Sequence, residues 1–354
     1  MPLTGQVSVH FNIRKSETML PLLRDKSKIW GLVALFVLLI AASAASLVLG
    51  RTEITFSTAV EAFRDYNEDS IEHIVLHTER LPRTVIAGVV GAALAVAGAL
   101  MQALTRNPLA SPSVFGINAG AIFFIVFSIV VLSVSSLNTM MWFGFAGAAL
   151  AALIVYALGS LGRDGITPIK IVLAGTAITA LFTSFTQAML VLNSTGLQDV
   201  LFWLAGSVSG RTLEMLYPML PYMTVAAVVA LFMGRAINLL LTGEDIAKGM
   251  GQNVLLVKLL MGGVVVFLAG GSVAVAGSVG LVGLVVPHVM RALVGNDYRW
   301  LIPYSLFGGA VLLLCSDVIA RLVILPNELP IGVVTALIGG PFFVYIARKG
   351  GTKV

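Results

Sequence analysis

Charge is what this sequence has least of. Only 11% of its 354 residues are Asp, Glu, Lys or Arg, against about 25% in soluble domains, so the chain lacks the polar surface to fold in water. Cysteine is scarcer still. Cys315 stands alone, which excludes a disulfide within the chain and any cysteine-based metal site. There is no G-x-x-x-x-G-K-[ST] phosphate loop, so ATP would have to be bound by another polypeptide. Asp317 lies near the outer end of its apolar run, and no ionisable residue falls at mid-depth of any run. That disfavours an ion-coupled transporter, which needs such groups inside the membrane, and equally a membrane-embedded enzyme. The formal charge of +5 implies no nucleic acid, because basic residues gather in the loops on one side of a membrane.

What the chain does have is hydrophobic length: 58% of its residues are apolar. Runs long enough to cross ~30 Å of hydrocarbon lie at 29–50, 84–105, 114–136, 139–161, 169–193, 214–234, 256–273, 274–294, 300–321 and 331–348. The first is too long and starts too late for a cleaved signal peptide, so a segment 1–28 precedes a single transmembrane domain, 29–350. A further piece, Val200 to Gly210, is too short to span and reads as half-inserted.

Orientation follows from the basic residues. Arg14, Lys15, Arg24, Lys26 and Lys28 place the N-terminal segment inside, and the acidic connection from Arg51 to Arg83 falls outside. Arg106, Arg163, Lys170, Arg235, Lys248, Lys258, Arg291, Arg299 and the tail residues Arg348, Lys349 and Lys353 then all fall inside. Ten spans satisfy every loop, with both termini cytoplasmic. The quartet Ala95-Val96-Ala97-Gly98 recurs as Ala274-Val275-Ala276-Gly277, each followed ten residues after its glycine by a proline, Pro108 or Pro287. An inverted internal repeat enclosing a pathway would produce such an echo; so would chance in spans rich in Ala, Gly and Val.

Three ordered stretches carry a resemblance. The first is Arg80-Leu81-Pro82-Arg83, then Gln102, Asn107-Pro108-Leu109-Ala110 and Pro112. The second runs from Gly280 to His288 with Arg291 after it. The third is Ser316-Asp317 through Ala320-Arg321, then Glu328 to Thr335 and Gly339-Gly340-Pro341-Phe342. Together they resemble the permease subunits of ABC importers for iron–siderophore complexes, cobalamin and haem, the FecCD/BtuC-like permeases. The match covers roughly residues 29 to 350.

The resemblance implies an all-α integral membrane protein in a bacterial cell membrane, whose pathway forms at the interface with a second, identical or different, permease chain. It also implies two ABC ATPase subunits holding ATP and magnesium, and an extracellular or periplasmic binding protein that delivers the cargo. Ferric siderophore is the first expectation for that cargo, cobalamin or haem the next; this chain itself would bind no cofactor or metal.

Residue by residue, Arg80, Arg83 and Arg321 match arginines that dock acidic residues of the binding protein, a task that suits the guanidinium fork. Arginines at these places could equally sit at headgroup level, and Asp317, four residues before Arg321, could hold it. The loop Gly243-Glu244-Asp245-Ile246-Ala247-Lys248-Gly249-Met250-Gly251 resembles the segment that couples to the ATPase. Its acids in the first turn and glycine at the end also describe any solvated loop helix. Asn107 and Leu109, with the Thr167-Pro168-Ile169 turn, match a cytoplasmic gate or are ordinary proline turns. Trp203, Gly206, Gly116 and Gly120 are candidate pathway lining, although small residues also serve helix contact in membranes. His73 and His77 beside Glu72 could suggest a metal, but no third ligand is fixed, and a solvated acidic face is the simpler reading.

Overall fold

The computed structural model describes residues 25–161, 168–192, 204–325 and 327–350. Among these, every regular element is a helix. Helix α1 (Asp25–Val48) is followed by the short α2 (Phe56–Arg64) and the long α3 (Ile71–Thr105). A 3-10 turn at Pro112–Phe115 leads into α4 (Ile117–Val130), α5 (Leu137–Ser160) and α6 (Pro168–Leu192). Then come α7 (Leu213–Leu216), α8 (Leu220–Leu241), α9 (Glu244–Gly249), α10 (Val254–Ala276), α11 (Val282–Val294), α12 (Tyr298–Leu322) and α13 (Ile331–Gly350). Seven of them (α1, α3, α5, α6, α8, α10 and α12) are long and apolar enough to cross a membrane, while α4, α11 and Ile331–Val344 within α13 are apolar but shorter. Arg14, Lys15, Arg24, Arg163 and Lys353 of the orientation argument lie outside the described residues.

Helix α3 is the hub. In its most apolar window 78% of the residues are buried, against 11% in α1, so α3 is wrapped by protein and α1 lies at the periphery. Small residues let the neighbours approach. A Cβ added to Gly98 would run into the backbone of Gly283 at the start of α11, and one added to Gly91 into the carbonyl of Gly309 in α12. In lipid, helix association rests on such close packing because hydrocarbon tails are as apolar as the side chains.

Several boundaries differ from the sequence reading. Helix α3 begins at Ile71, far ahead of residue 84, because Ser70 caps it by accepting a hydrogen bond from the His73 N–H at 3.4 Å. Its charged first turns hid it from an apolar count. The join expected near residues 273 and 274 also moves: α10 runs on to Ala276 and stops at Gly277, whose φ of +73° suits glycine. Ala274-Val275-Ala276 therefore ends a helix, whereas Ala95-Val96-Ala97 lies in the middle of one, and Pro108 follows a helix while Pro287 sits inside one. The two copies do not occupy equivalent local structure, so the echo lends the repeat no support.

Of the expected half-inserted piece, residues 204–210 are described. The Ser207 N–H donates to the Ala276 carbonyl at 2.9 Å, and the Gly332 N–H to the Gly206 carbonyl at 3.1 Å, which fastens this segment to the α10–α11 break and to the start of α13. At the other end of the molecule Asp297 caps α12. Its carboxylate accepts from the Arg299 N–H at 3.0 Å and from Asn238 Nδ2 at 2.6 Å. Hydrogen bonding from the Arg299 side chain, partly opposed by burial and helped by Asn238, draws the Asp297 pKa below the usual 3.8, to about 2.

Two outcomes test this packing. Gly98→Leu should destabilise the chain by at least the ~1–3 kcal/mol of an overpacked core, read as a lower unfolding midpoint in detergent, while Gly88→Leu, whose added side chain begins in open space, should change it little. Asp297→Ala should cost about 1 kcal/mol, as lost N-caps do. Because the folded pKa is depressed, that stabilisation is present above the unfolded value and lost as pH falls through the folded one. The gap between wild type and Asp297→Ala should thus be constant near neutrality and close between pH 3.8 and about 2.

Candidate functional site

The chemistry of the chain sits at its two ends. At one end, α1, α3, α12 and the loop before α13 bring three arginines around two carboxylates. Arg83 donates through Nε to Asp317 Oδ1 at 2.7 Å and through Nη1 to Glu328 Oε2 at 2.7 Å. Arg321 donates through Nε to Asp317 Oδ2 at 2.9 Å, pairs with the same oxygen through Nη2, and reaches the Ser46 carbonyl at 2.9 Å. Arg80 gives Nη1 to the carbonyls of Leu47 and Val48 at 2.7 and 2.6 Å, and Nη2 to that of Thr52. The four principal side chains are closed off from outside: Arg80, Arg83 and Arg321 are 3–4% exposed and Asp317 is 0% exposed.

Local structure explains the aim of these groups. Pro82 has no N–H to give and its ring crowds the preceding turn. The helix absorbs this in a π turn, Leu76–Arg80, immediately before it, and π turns redirect side chains where they occur. Arg80 ends that turn and reaches across to the C-terminal end of α1. Arg83, one turn on, faces α12. Beside Asp317, Arg80 and Arg83 wall a cavity of about 310 Å³ together with Arg51, Arg321 and Glu328. Arg51 is exposed at its rim.

The sequence placed Arg80, Arg83 and Arg321 at one end, and the structure brings them to one cavity. The expected Asp317–Arg321 pair is present. Asp317 also holds Arg83 across 234 residues, a contact with no local signal. Glu328 stood in a motif without a role; it accepts from both Arg83 and, at 3.1 Å, Ser209. Burial works to raise the pKa of Glu328, but the hydrogen bond and charge of Arg83, with Ser209 and Arg321, bring it below the usual glutamate range. In this conformation the three arginines bond to groups within the chain, and Arg51 is exposed on the cavity rim.

At the opposite end, the loop 243–251 folds as α9 between two glycines at positive φ, Gly243 at +133° and Gly251 at +84°. Ala247 is buried beneath it, while Ile246 and Met250, four residues apart on one face, are 56% and 69% exposed. Gln252 Nε2 donates to the Ala236 carbonyl at 2.8 Å, and Lys258 pairs with Glu244 at 2.6 Å. The Lys258 hydrogen bond, opposed by some burial and reinforced by the charges of Lys258, Arg106 and Lys248, lowers the Glu244 pKa. The helix is short, is pinned by these contacts and leaves two apolar side chains exposed on one face.

Around it, Asn107 Oδ1 accepts from the Leu109 N–H at 2.9 Å, fixing the turn after α3; Asn107 is exposed and Leu109 half-buried. Pro168 opens α6 and Ile169 is exposed in its first turn, while Thr167 lies outside the described residues. Of the candidate lining, Gly116 sits against Ile178 and Thr179, Gly120 against the Gly147 backbone and Gly206 against Ser278. All three glycines are buried in contacts within the chain instead of facing a cavity. Trp203 lies outside the described residues. Two of the resembling stretches meet where Arg291 Nη2 donates to Gln102 Oε1 at 2.9 Å.

His73 and His77 have other work: His73 Nδ1 accepts from the Asn67 N–H at 3.1 Å, and His77 Nε2 lies 3.0 Å from the Ala62 carbonyl. Among the described residues no group of three or more His, Cys, Asp or Glu could hold a metal ion.

Comparison with known proteins gives this arrangement a context. The model of the FecCD transport family matches residues 38–349. YfiZ, a Bacillus subtilis permease protein assigned to a siderophore transport system, is 53% identical over 319 residues, covering 90% of this chain and 96% of YfiZ. The ferric enterobactin permease FepD of Escherichia coli is 40% identical, covering 89% of this chain and 94% of its own. Among solved structures, an inward-facing transporter assigned to the metal-chelate ABC type superposes with a TM-score of 0.80 at 28% identity, covering 91% of this chain and 99% of that one. With nearly the whole chain matched by the family model and by full-length relatives, this protein belongs to the FecCD transport family.

Proposed function

We propose that this chain is the membrane permease subunit of an ATP-driven importer of ferric siderophores. The observation that carries the reading is the 53% identity over almost the full length of a permease assigned to siderophore transport. Relatives named for ferric citrate and iron–hydroxamate import, 42% identical each, favour iron chelates over cobalamin or haem. The membrane interior supports an external drive, because Asp317, the one fully buried carboxylate among the described residues, is locked between two arginines. Two permease chains would enclose the pathway, with α6 and α13 offering the exposed apolar residues Leu181, Phe185, Leu337 and Val344. Two ATPase subunits would supply ATP hydrolysis.

In this reading the chain crosses a bacterial cell membrane ten times, α4, α11 and α13 completing the seven longer spans, with both termini cytoplasmic. Two inverted halves of five spans are favoured by the order long, short, long, which α3, α4 and α5 share with α10, α11 and α12. The end bearing Arg80, Arg83 and Arg321 faces outward and receives the binding protein. Its acidic groups compete with Glu328 for Arg83 and meet Arg51 first. The 243–251 segment faces the cytoplasm, where Ile246 and Met250 enter a groove of the ATPase. Asn107, Leu109 and the 167–169 turn close the exit between cycles.

Affinity for the cognate binding protein tests the outer end. Arg51→Glu should weaken the complex severalfold, most at low salt, as rim charges do. Glu328→Gln should tighten it by freeing one arm of Arg83. A complex unmoved by both removes docking from this end. Inactivating the ATPase partner tests the drive: uptake into cells should cease while the proton gradient is intact. Uptake that survives this and collapses with the gradient would make the protein a secondary transporter.

A further inference from the structure

A second cavity lies apart from the arginine cluster, beside the short helix α9. It has a volume of about 470 Å³, within the ~300–1,000 Å³ range of ligand sites, and lies between α5 and α10, with the end of α3 behind it. Its walls are apolar apart from Tyr156 and the charged group Arg106, Glu244 and Lys258. At the other limit stand Phe145 and Phe267, with ring centroids 5.4 Å apart. From Lys258 to Phe267 is nine residues of helix, about 14 Å at 1.5 Å per residue, or close to half the ~30 Å hydrocarbon core. The cavity thus runs from a charged end to the middle of the bilayer, through the depth of one leaflet.

Its walls are kept clear. Gly262 and Gly263 line it from the interior of α10, and a Cβ added to either meets nothing within 4 Å. Glycine inside a helix weakens it, and here no neighbouring backbone comes close enough to demand one. The missing side chains leave room for something else. Leu153 and Leu259, also lining, are 64% and 47% exposed, so the cavity opens sideways from the helix bundle, toward lipid. At the charged end two cations face one acid, and Glu244 is already paired with Lys258 at 2.6 Å, which leaves a surplus positive charge at the mouth. Basic pockets between membrane helices suit anionic headgroups.

We propose that this cavity is a binding site for one anionic phospholipid, an acyl chain lying along Gly262 and Gly263 and the phosphate resting at Arg106 and Lys258. Because Glu244 opens α9, the lipid touches the helix expected to couple to the ATPase, though its binding does not depend on that assignment.

The test is native mass spectrometry of the full chain in mild detergent, with phosphatidylglycerol and phosphatidylcholine of matched acyl chains. One phosphatidylglycerol should be retained, favoured over phosphatidylcholine by about fivefold, the preference expected of one net basic residue near a headgroup. Lys258→Gln should abolish the preference and leave some lipid bound, and Gly263→Leu should remove most of the bound lipid of both kinds. Inorganic phosphate should not displace the adduct. Equal retention of the two lipids by wild type, an adduct unchanged in Gly263→Leu, or displacement by phosphate alone overturns the proposal. Should Gly263→Leu fail to fold, wild type decides alone: photoactivatable acyl chains should crosslink to residues 149–156 and 259–267, and crosslinks spread evenly over the apolar surface contradict the site.

Discussion

A carboxylate with no access to water, held between two guanidinium groups, sets the terms for this molecule. Asp317 is fully buried in a chain with little other charge at depth, and stripping such a group of water costs several kcal/mol unless partners surround it. Arg83 from α3 and Arg321 from α12 supply them. Each arginine also bonds elsewhere: Arg321 to the end of α1, Arg83 to Glu328 before α13. One buried charge therefore fixes four segments of chain relative to one another. It also explains why arginines that read as surface docking groups are turned inward. The same donors cannot serve an internal carboxylate and a partner's at once, so any docking at this end is an exchange.

The rest of the packing follows from the solvent. With lipid outside and apolar side chains inside, burial gives helices little reason to associate, and backbone proximity has to do it. Gly98 on Gly283 and Gly91 on Gly309 bring α3 within carbonyl contact of α11 and α12, which is why α3 is the most enclosed helix. Where α10 instead presents Gly262 and Gly263 to open space, the same residue type signals the opposite, a gap. The two uses of glycine are told apart by what an added Cβ would touch, a distinction no sequence displays.

Much of the fold was legible from hydrophobic length, because a span must be apolar over a set distance and this chain has almost no charge to blur the runs. What failed did so for identifiable reasons. The first turns of α3 are charged and escaped an apolar count, although Ser70 was there as a cap. The α10–α11 join was misplaced because Gly270, Gly271 and Gly277 look alike in sequence, and only Gly277 takes a positive φ. At the site, the Asp317–Arg321 pair followed from a four-residue spacing on one helical face. Arg83 reaching Asp317, and Glu328 accepting from Arg83, span more than 200 residues and leave no local trace. Burial of the arginines was equally invisible, since position at a helix end says nothing about which way a long side chain turns.

The account stands on Asp317 as a structural keystone held between two arginines. The unfolding temperature of Asp317→Asn in detergent measures this most directly. The substitution keeps shape and removes charge, leaving Arg83 and Arg321 buried against a neutral group. The account predicts a loss of about 3–5 kcal/mol, the cost of breaking a buried pair from one side, seen as a large drop in the midpoint. A midpoint equal to wild type would mean that the Asp317 carboxylate does not hold these segments together, and the keystone would not exist.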